Sequence, residues 1–470
     1  MVLAMPLSAQ DYPRDGGRPP RSGDARQPDG QGPRQPTPAI PRTGSADVIL
    51  GRPTGSSILL SLLHYDQDRD VLITYGPEAT AALMRTPEYR LQKGQPQEIV
   101  LAKLRSNTRY AYQVRDVNTG RSIVDGNFQT QRLASTPFSF TLTADSHLDL
   151  NTDPTLYQRS LANALTDAPD FHIDLGDTFM SGKHEGRANA DQQYRAQRAY
   201  FGQVCHSMPL YLVIGNHDGE ESRLARDGAD SLAVWANGER KRYFPNPVPD
   251  AFYSGNDKPD PFAGQLQDYY AWTWGDALLI VLDPYWHGGS RRGDEGWDLS
   301  LGDTQYQWLK HILATSKARY KFVFVHQLVG GRDRQGRGGV EAAKFGEWGG
   351  HNADGSEGFR THRPGWELPI HQLLVRHGVS AVFHGHDHLY AMQTLDGIVY
   401  QEVPQPGHPG QGIPRFAAEY GYQAGTILAG SGHLRVTVAP DKATVDFVGA
   451  QADGNGNRQV VHSYSIPTTP

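Results

Sequence analysis

The stretch FSFTLTADSH, residues 138–147, joins a strand-like run to two potential metal ligands. Phe138 to Thr143 combines aromatic and β-branched residues, which is the composition of a buried strand. Asp145 and His147 follow at once, and their carboxylate and imidazole groups are common metal ligands. We therefore expect a buried strand whose carboxyl end carries a functional site.

Four later apolar runs end in the same way. The ligand-type residues that follow them are Asp177 after Phe171–Leu175, Asn216, His217 and Asp218 after Leu210–Ile214, His326 after Phe322–Val325, and His386 and His388 after Ala381–Phe383. Ligands of open α/β sheets gather at the carboxyl ends of the strands, so five strand ends would deliver oxygen and nitrogen donors to one crevice. Each motif alone is common, whereas the ordered set of five is specific.

The region 137–450 alternates between strand-like and helix-like patterns, which predicts an α/β domain of layered sheets. Its helix-like stretches are Thr155–Thr166, Tyr194–Cys205, Asp303–Thr315 and Pro364–His377, and a further strand-like run is Leu278–Leu282. A closing β-region is expected at Thr426–Leu428, Leu434–Val438 and Thr444–Val448. Residues 451–470 are interpreted as a C-terminal extension.

A small all-β sandwich is expected ahead of this domain, at residues 46–132. Turn-forming residues separate its short β-prone runs, which are Ser57–Leu63, Val71–Tyr75, Glu98–Lys103 and Tyr110–Val114. The stretch Leu104–Val114 resembles the tyrosine-corner strand of fibronectin type III domains, in which a tyrosine hydroxyl binds a backbone group at the corner of the sandwich. Another kind of small β-sandwich is the alternative.

Residues 1–45 are expected to lie outside both domains. The segment 11–44 is rich in Pro, Gly, Arg, Asp and Gln, so it cannot bury enough apolar surface to offset the entropy of ordering. Val2–Ala9 resembles the end of a signal peptide, with an ordinary disordered N-terminus as the alternative. A secreted or periplasmic location is the resulting expectation.

The overall composition argues against several classes of function. The 470 residues carry a net charge of −6, so no affinity for a nucleic-acid scaffold or an anionic membrane is expected. No apolar run reaches the roughly 18 residues that a transmembrane helix requires. The one cysteine, Cys205, cannot form an internal disulfide and is expected to be buried. The oligomeric state stays open.

The ordered motifs D-x-H, G-D, G-N-H-D, H and G-H-x-H resemble those of the calcineurin-like metallophosphoesterase superfamily over about residues 137–405. With a fibronectin-like domain in front, the arrangement is similar to that of purple acid phosphatases and of some alkaline phosphodiesterases of the superfamily. The resemblance implies a four-layer α+β sandwich with a dinuclear metal centre. It implies that one metal is bound by Asp145, His147 and His388, that the other is bound by Asn216, His326 and His386, and that Asp177 bridges both.

These carboxylate, imidazole and amide donors, without a thiolate, suit two divalent or trivalent ions of Fe, Mn or Zn. Such ions lower the pKa of a shared water, which gives a bridging hydroxide that attacks a phosphoryl group. The expected function is hydrolysis of a small phosphate ester, and the domain arrangement favours a phosphomonoesterase. A phosphodiesterase or phosphotriesterase is an alternative, and so is a surface-binding module with a vestigial metal site.

His217 and Asp218 are the expected catalytic residues. His217 lies beside Asn216 in the sequence, so it would face the crevice and protonate the leaving-group oxygen or stabilise the transition state. Asp218 would orient His217 or, alternatively, cap the backbone of the turn. Three glycines are expected to allow tight turns beside the ligands, namely Gly176, Gly215 and Gly385.

Two positions distinguish this chain from the purple acid phosphatases. Those enzymes place a tyrosine ligand three residues after the bridging aspartate, where this chain has Met180. They also lack the histidine of the first motif, here His147. We therefore expect no tyrosinate–Fe(III) centre.

Two long segments, residues 219–268 and 329–364, are expected to form substrate walls. Their aromatic residues would stack on a leaving group or anchor the loops, and these are Trp235, Tyr243, Trp348 and Phe359. The arginines that would bind a terminal phosphate or remain solvated are Arg332, Arg334, Arg337 and Arg360. Two further histidines, His172 and His384, are expected to pack behind the site.

Overall fold

The computed structural model describes residues 36–41, 44–80, 83–225, 227–288, 296–329, 337–409 and 414–468. The signal-like start, most of the N-terminal tail, Arg332 and Arg334 lie outside these ranges. None of the described helices has the length and apolar character needed to cross a membrane.

The strands are numbered here in chain order. They are β1 Ala46–Gly51, β2 Ser57–His64, β3 Arg69–Pro77, β4 Met84–Arg85, β5 Tyr89–Leu91, β6 Gln97–Ala102, β7 Arg109–Asp116, β8 Ser122–Gln129, β9 Phe138–Thr143, β10 Phe171–Asp174, β11 Leu210–Leu212, β12 Ser254–Gly255, β13 Tyr270–Trp274, β14 Ala277–Val281, β15 Tyr320–Phe324, β16 Ala381–His384, β17 Tyr390–Leu395, β18 Ile398–Glu402, β19 Thr426–Leu428, β20 Ser431–Val438, β21 Lys442–Ala450 and β22 Val460–Pro467. The α-helices are α1 Pro154–Thr166, α2 Gly186–Gly202, α3 Leu232–Tyr243, α4 Gly302–Thr315, α5 Gly339–Ala342, α6 Gly346–Gly349, α7 Phe359–His362, α8 Ile370–Arg376 and α9 Pro414–Glu419.

The first eight strands form the all-β region that the sequence predicts. One antiparallel sheet has the order β1-β2-β6, and a second has the order β4-β3-β7-β8 with β5 paired to β3. The hydroxyl of Tyr110 accepts a hydrogen bond from the backbone N–H of Arg105 at 2.9 Å, so the tyrosine-corner contact is confirmed. The assignment to the fibronectin type III class in particular stays a prediction.

Two mixed sheets form the centre of the α/β region. The first has the order β11-β10-β9-β20-β21-β22, and the second has the order β12-β13-β14-β15-β16-β18-β17-β19. Aromatic side chains fill the space between them, and Phe140 of the first sheet lies 6.0 Å from Phe324 of the second between ring centroids. Bulky apolar faces of this kind supply the largest part of the hydrophobic stabilisation.

Helices cover the outer face of each sheet, which completes the four predicted layers. Tyr157 of α1 and Tyr194 of α2 pack with Leu210 of β11 on one side. Leu309 of α4 and Leu373 of α8 pack with the second sheet on the other side. Cys205 is buried in the first of these clusters, as expected.

Several segments differ from the predicted elements, and β17, β18 and α3 lie where no strand or helix was predicted. Helix α8 begins only at Ile370, because Pro369 has extended backbone and the preceding residues form a turn. Residues 451–470, interpreted as an extension, contribute β22 to the first sheet through pairing with β21. The sequence pattern also missed β13, whose buried Trp272 and Trp274 belong to the core between the sheets.

Strand direction brings the functional loops together. In the first sheet β9, β10 and β11 are parallel, and in the second β14, β15, β16 and β18 are parallel. Parallel strands end at the same edge of their sheet, so the loops that follow them are neighbours.

A buried ion pair joins the all-β region to helix α2. The Arg198 guanidinium is fully buried and donates to the carboxylate of Asp47 in β1 at 2.9 Å. It also donates to the backbone oxygen of Ser61 in β2 at 2.8 Å and to the backbone oxygen of Tyr243. One side chain therefore satisfies polar groups from three separate segments.

We expect Arg198→Ala to lower the free energy of unfolding by about 3–5 kcal/mol, because it leaves the buried Asp47 carboxylate unpaired. Urea titration followed by circular dichroism measures this loss. The matched control is Arg195→Ala on the same helix, whose pair with Asp191 is exposed and contributes about 0–1 kcal/mol. Equal effects of the two substitutions would contradict a structural role for Arg198.

Candidate metal centre

The loops after five parallel strands bring the predicted ligand residues into one crevice. Asp145 and His147 follow β9, Asp177 follows β10, and Asn216 follows β11. The second sheet contributes His326 after β15, and His386 and His388 after β16. Two clusters result in which one donor atom per residue lies within 4.8 Å of the others, namely Asp145–His147–His388 and Asp177–His326–His386.

The distances between donor atoms are close to those around a bound cation. Two ligands that each lie about 2.1 Å from a cation, at octahedral or tetrahedral angles, are about 3.0–3.4 Å apart. Asn216 Oδ1 lies 3.0 Å from His326 Nε2 and 2.9 Å from His386 Nδ1. In the other cluster, Asp145 Oδ1 lies 3.4 Å from His388 Nε2 and 3.6 Å from His147 Nε2.

Asp177 lies between the two clusters. Its Oδ2 is 3.6 Å from His147 Nε2 and 3.5 Å from His326 Nε2. Its Oδ1 accepts the backbone N–H of His217 at 2.7 Å. One carboxylate oxygen thus faces imidazoles from both clusters, as a carboxylate shared by two ions requires.

An unsatisfied polar atom supports the fit of metal ions to this crevice. Asp145 Oδ1 is buried and has no hydrogen-bond partner within the described part of the chain. Leaving such an atom unpaired costs about 1–3 kcal/mol. Nitrogen and oxygen donors without a thiolate fit two hard or borderline cations.

The backbone is strained at five of the ligand-type residues. These non-glycine residues have left-handed φ angles, and they are Asp145 at 56°, His147 at 48°, Asp177 at 54°, His386 at 84° and His388 at 62°. Such conformations cost of order 1 kcal/mol or more each and cluster at functional sites. The surrounding fold therefore holds these donors in positions that the local sequence disfavours.

Glycine is required where the loops approach one another most closely. A Cβ atom at Gly215 would lie 2.1 Å from the backbone nitrogen of Asp177, and one at Gly385 would lie 2.6 Å from Asp145 Oδ2. Neither distance is tolerable for real atoms. The predicted role of these two glycines in close approach agrees with this geometry.

Asp218 binds backbone rather than His217. Its carboxylate accepts four backbone N–H groups, which are those of Gly215 at 2.8 Å, Asp177 at 3.1 Å, Thr178 at 2.9 Å and Phe179 at 2.7 Å. Of the two interpretations left open by the sequence, the backbone cap is the one observed. Its expected role in orienting His217 is therefore corrected: the carboxylate joins two ligand loops.

His217 is half-buried beside the crevice. Burial lowers the pKa of its imidazole to about 3. The Asp177 carboxylate raises this pKa, and the nearby Lys183 ammonium lowers it. The free protein therefore has a neutral His217 at neutral pH. A ring in this state can donate one hydrogen bond to an incoming anion.

Charges within the crevice are strongly coupled. Burial would lower the pKa of His326, but the Asp177 and Asp145 carboxylates raise it to about 9. Burial would raise the pKa of Asp177, but the His326 and His217 imidazoles hold it well below its usual value. Metal binding would displace the proton from His326, so the metal affinity rises with pH.

Asp149 and His408 also belong to this region, although sequence reasoning did not select them. Asp149 Oδ2 lies 3.7 Å from His147 Nδ1, and its Oδ1 lies 3.3 Å from His408 Nε2. The usable signal was the short spacing in DSHLD, where a second carboxylate follows His147 by two residues. Carboxylates in this position fix the orientation of metal-binding imidazoles.

A second layer of polar groups supports the G-H-D-H turn. Asp387 accepts a hydrogen bond from Arg337 Nε at 2.8 Å and one from the Tyr422 hydroxyl at 2.8 Å. Arg337 also donates to the backbone oxygen of His386 at 2.6 Å. His384 is buried behind the turn with Nδ1 2.5 Å from Glu402, which agrees with its predicted packing role. Arg337 is thus engaged within the protein.

The remaining loop residues are mainly structural. Arg360 donates to the backbone oxygens of Trp366 and Glu367, and Trp348 donates to the Tyr400 hydroxyl at 2.8 Å. The predicted aromatic residues pack in or against the outer cores, and these are Trp235, Tyr243, Trp348 and Phe359. His172 is buried between Thr141 and Thr143, as expected, and Met180 is buried with a φ of 51°.

Comparison with solved structures identifies two that share this fold over most of the chain. The structure of PhoD superimposes with a TM-score of 0.64 at 14% sequence identity, covering 92% of this chain and 92% of that chain. The purple acid phosphatase PPD1 from yellow lupin (Lupinus luteus) seeds gives a TM-score of 0.60 at 15% identity, covering 90% of this chain and 74% of that chain. At these identities the likeness concerns the fold. No curated protein sequence matches significantly.

The family follows from the sequence itself. The family profile described as calcineurin-like phosphoesterase matches residues 138–390, more than half of the chain, and this range contains both donor clusters. Together with the convergent donors at the strand ends, the match shows that this chain belongs to the calcineurin-like phosphoesterase family.

Proposed function

We propose that this protein hydrolyses phosphate esters at a dinuclear metal centre, with phosphomonoesters as the preferred substrates. The observation that carries the proposal is the pair of donor clusters that share Asp177. In the proposed assignment one ion is held by Asp145, His147 and His388, the second is held by Asn216, His326 and His386, and Asp177 bridges them.

Two bound ions would supply Lewis acidity toward the phosphoryl oxygens and lower the pKa of the attacking water. The protein's own contribution is preorganisation. Asp218 holds the Asp177 loop against the Asn216 loop, and Asp149 directs Nε2 of His147 toward the carboxylates of Asp145 and Asp177. Preorganised donors lose no reorganisation energy when the charge develops in the transition state.

His217 is assigned to the leaving-group side of the substrate. Its backbone N–H donates to Asp177, and its ring interacts electrostatically with the same carboxylate without being needed as a ligand. A phosphoryl anion beside the ring would raise its pKa, so that the imidazole would take up a proton from solvent on substrate binding and could pass that proton to the departing oxygen.

The preference for monoesters is supported by the fold shared with a purple acid phosphatase. A phosphodiesterase is the second candidate, and a specific observation favours it. A dianionic monoester gains from extra cationic groups, yet Arg337 is bound to Asp387 and Arg360 to backbone carbonyls. In a monoesterase, the metal ions and Lys183 would have to neutralise the dianionic substrate without help from these two arginines.

The decisive experiment compares p-nitrophenyl phosphate with bis-p-nitrophenyl phosphate, using metal-stripped protein refilled with Mn, Zn or Fe. We expect turnover to require metal and to favour the monoester, with Asp177→Asn as the inactive control that also binds less metal. Preference for the diester would replace the monoesterase by the phosphodiesterase. Full activity and full metal content in Asp177→Asn would refute the site.

We expect Asp149→Asn to weaken metal binding about 10–100-fold, because His147 loses the charged partner that orients its ring. Competition with a chromophoric chelator measures this affinity directly, independently of turnover. The matched control is Asp153→Asn, which lies in the same loop and caps helix α1 through Thr155 and Leu156. Unchanged affinity in Asp149→Asn would show that Asp149 does not position His147.

We expect His217→Ala to retain both metals and to slow phenyl phosphate by about 100-fold or more, with a smaller loss for p-nitrophenyl phosphate. Proton donation matters most when the leaving group is a poor one. Steady-state kinetics over a series of substituted phenyl phosphates gives the dependence on leaving-group pKa. An equal loss for all esters would indicate a hydrogen bond to the phosphoryl group instead.

A further inference from the structure

A basic groove lies at the opposite edge of the second sheet from the metal centre. It has a volume of about 850 Å³ and is formed by the end of α4, the start of β15, and the end of α8 with the following turn. Its ionisable lining residues are Lys317, Arg319, Lys321, Arg376 and His377, and none of its described lining residues is acidic. This concentration of positive charge occurs in a chain with a net charge of −6.

The groove is well separated from the metal centre. Lys321 is the second residue of β15, whereas His326 follows the other end of the same strand. Five residues of extended chain span about 17 Å. A ligand in the groove therefore does not contact the donor clusters.

Internal partners do not neutralise the groove. Arg376 pairs with Glu367, which is shared with Lys310. Arg319 donates to the neutral backbone oxygen of Pro440 at 3.1 Å. Asp276 lines the neighbouring hollow together with Lys317 and Arg319, but it accepts the backbone N–H of Ser135 and pairs with neither cation.

Lys321 is the most informative residue of the groove. Its side chain is half-buried, and no carboxylate of the described residues lies within ion-pair distance of it. Burial lowers the pKa of Lys321, and burial together with the nearby Arg376 and Lys321 charges lowers the pKa of His377. Withdrawing a cation from water without a partner is unfavourable, so an external anion would relieve this cost.

The helix ends account for only part of the charge. Helices α4 and α8 both end at the groove, and each helix C-terminus carries about half a negative charge. The four lysine and arginine side chains, less Glu367 and the two helix ends, leave about two positive charges. An excess of positive charge of this order suits a phosphate anion.

We propose that this groove is a second anion site that binds inorganic phosphate or a phosphate group of a small soluble molecule, independently of the metal centre. Lys317 and Lys321 supply the unpaired charges. Arg319 and Arg376 also line the groove. The groove is open, so the phosphate is held mainly by charge and exchanges readily with solvent.

Equilibrium dialysis of the metal-loaded protein against radiolabelled inorganic phosphate tests this site. Lys317→Ala/Lys321→Ala is expected to bind one equivalent of phosphate fewer than the wild type while hydrolysing p-nitrophenyl phosphate at the same rate. Lys321→Arg keeps the charge and is expected to keep the site. Lys93→Ala/Lys103→Ala, which removes two exposed lysines of the all-β region, is the control for net charge.

The proposal is overturned if the Lys317/Lys321 variant binds as much phosphate as the wild type, or if the Lys93/Lys103 control loses just as much. Because the comparison is a difference in stoichiometry, it holds whether or not phosphate also binds at the metal centre. Loss of hydrolysis in every protein would count against the proposed function and leave this result intact.

Discussion

The structure of the crevice depends on the backbone hydrogen bonds that the Asp218 carboxylate accepts. Four backbone N–H groups from two loops converge on its two oxygens, and these loops present Asp177 and Asn216. Without that anion, the N–H groups would be buried and unsatisfied at about 1–3 kcal/mol each. Asp177 therefore lies between the two donor clusters because Asp218 holds the backbone of the Asp177 loop in place by hydrogen bonds.

This constraint operates only because the sheets are rigid. The crevice holds five strained backbone conformations and several buried ionisable groups, all of which are unfavourable in isolation. The aromatic core between the sheets, with Phe140 stacked on Phe171 at 5.3 Å, fixes the strands on which these loops are mounted. Hydrophobic burial in the sheets offsets the cost of a polar, strained edge, and bound cations would reduce that cost further.

Much of the fold and the positions of the ligand-type residues could be predicted from local patterns. Phe138–Thr143 is a strand with the predicted bounds, and Asp145 and His147 follow it as expected, because a strand end and its ligands are encoded within ten residues. Backbone capping by Asp218 was one of two alternatives that the sequence left open, but three of its four N–H partners come from a loop some 40 residues earlier and were not predictable. Asp149 and His408 come together across 259 residues of sequence, and periodicity carries no information about such a contact. Arg337 illustrates the same limit, because it is bound by Asp387, a residue 50 positions away that no local motif connects with it.

The two ends of strand β15 have opposite electrostatic surroundings. At its carboxyl end His326 faces the carboxylates of Asp145 and Asp177, which hold its pKa near 9 and create a site for cations. At its amino end Lys321 has a positive neighbourhood and no carboxylate partner within the described residues, which creates a site for anions. Parallel strands make this separation natural, because functional loops collect at one edge and leave the other edge free to acquire a different charge. About 17 Å of extended chain lies between the two ends, and mobile ions screen exposed charges over about 8–10 Å. Each end therefore sets its own local potential, and the net charge of the chain predicts neither of them.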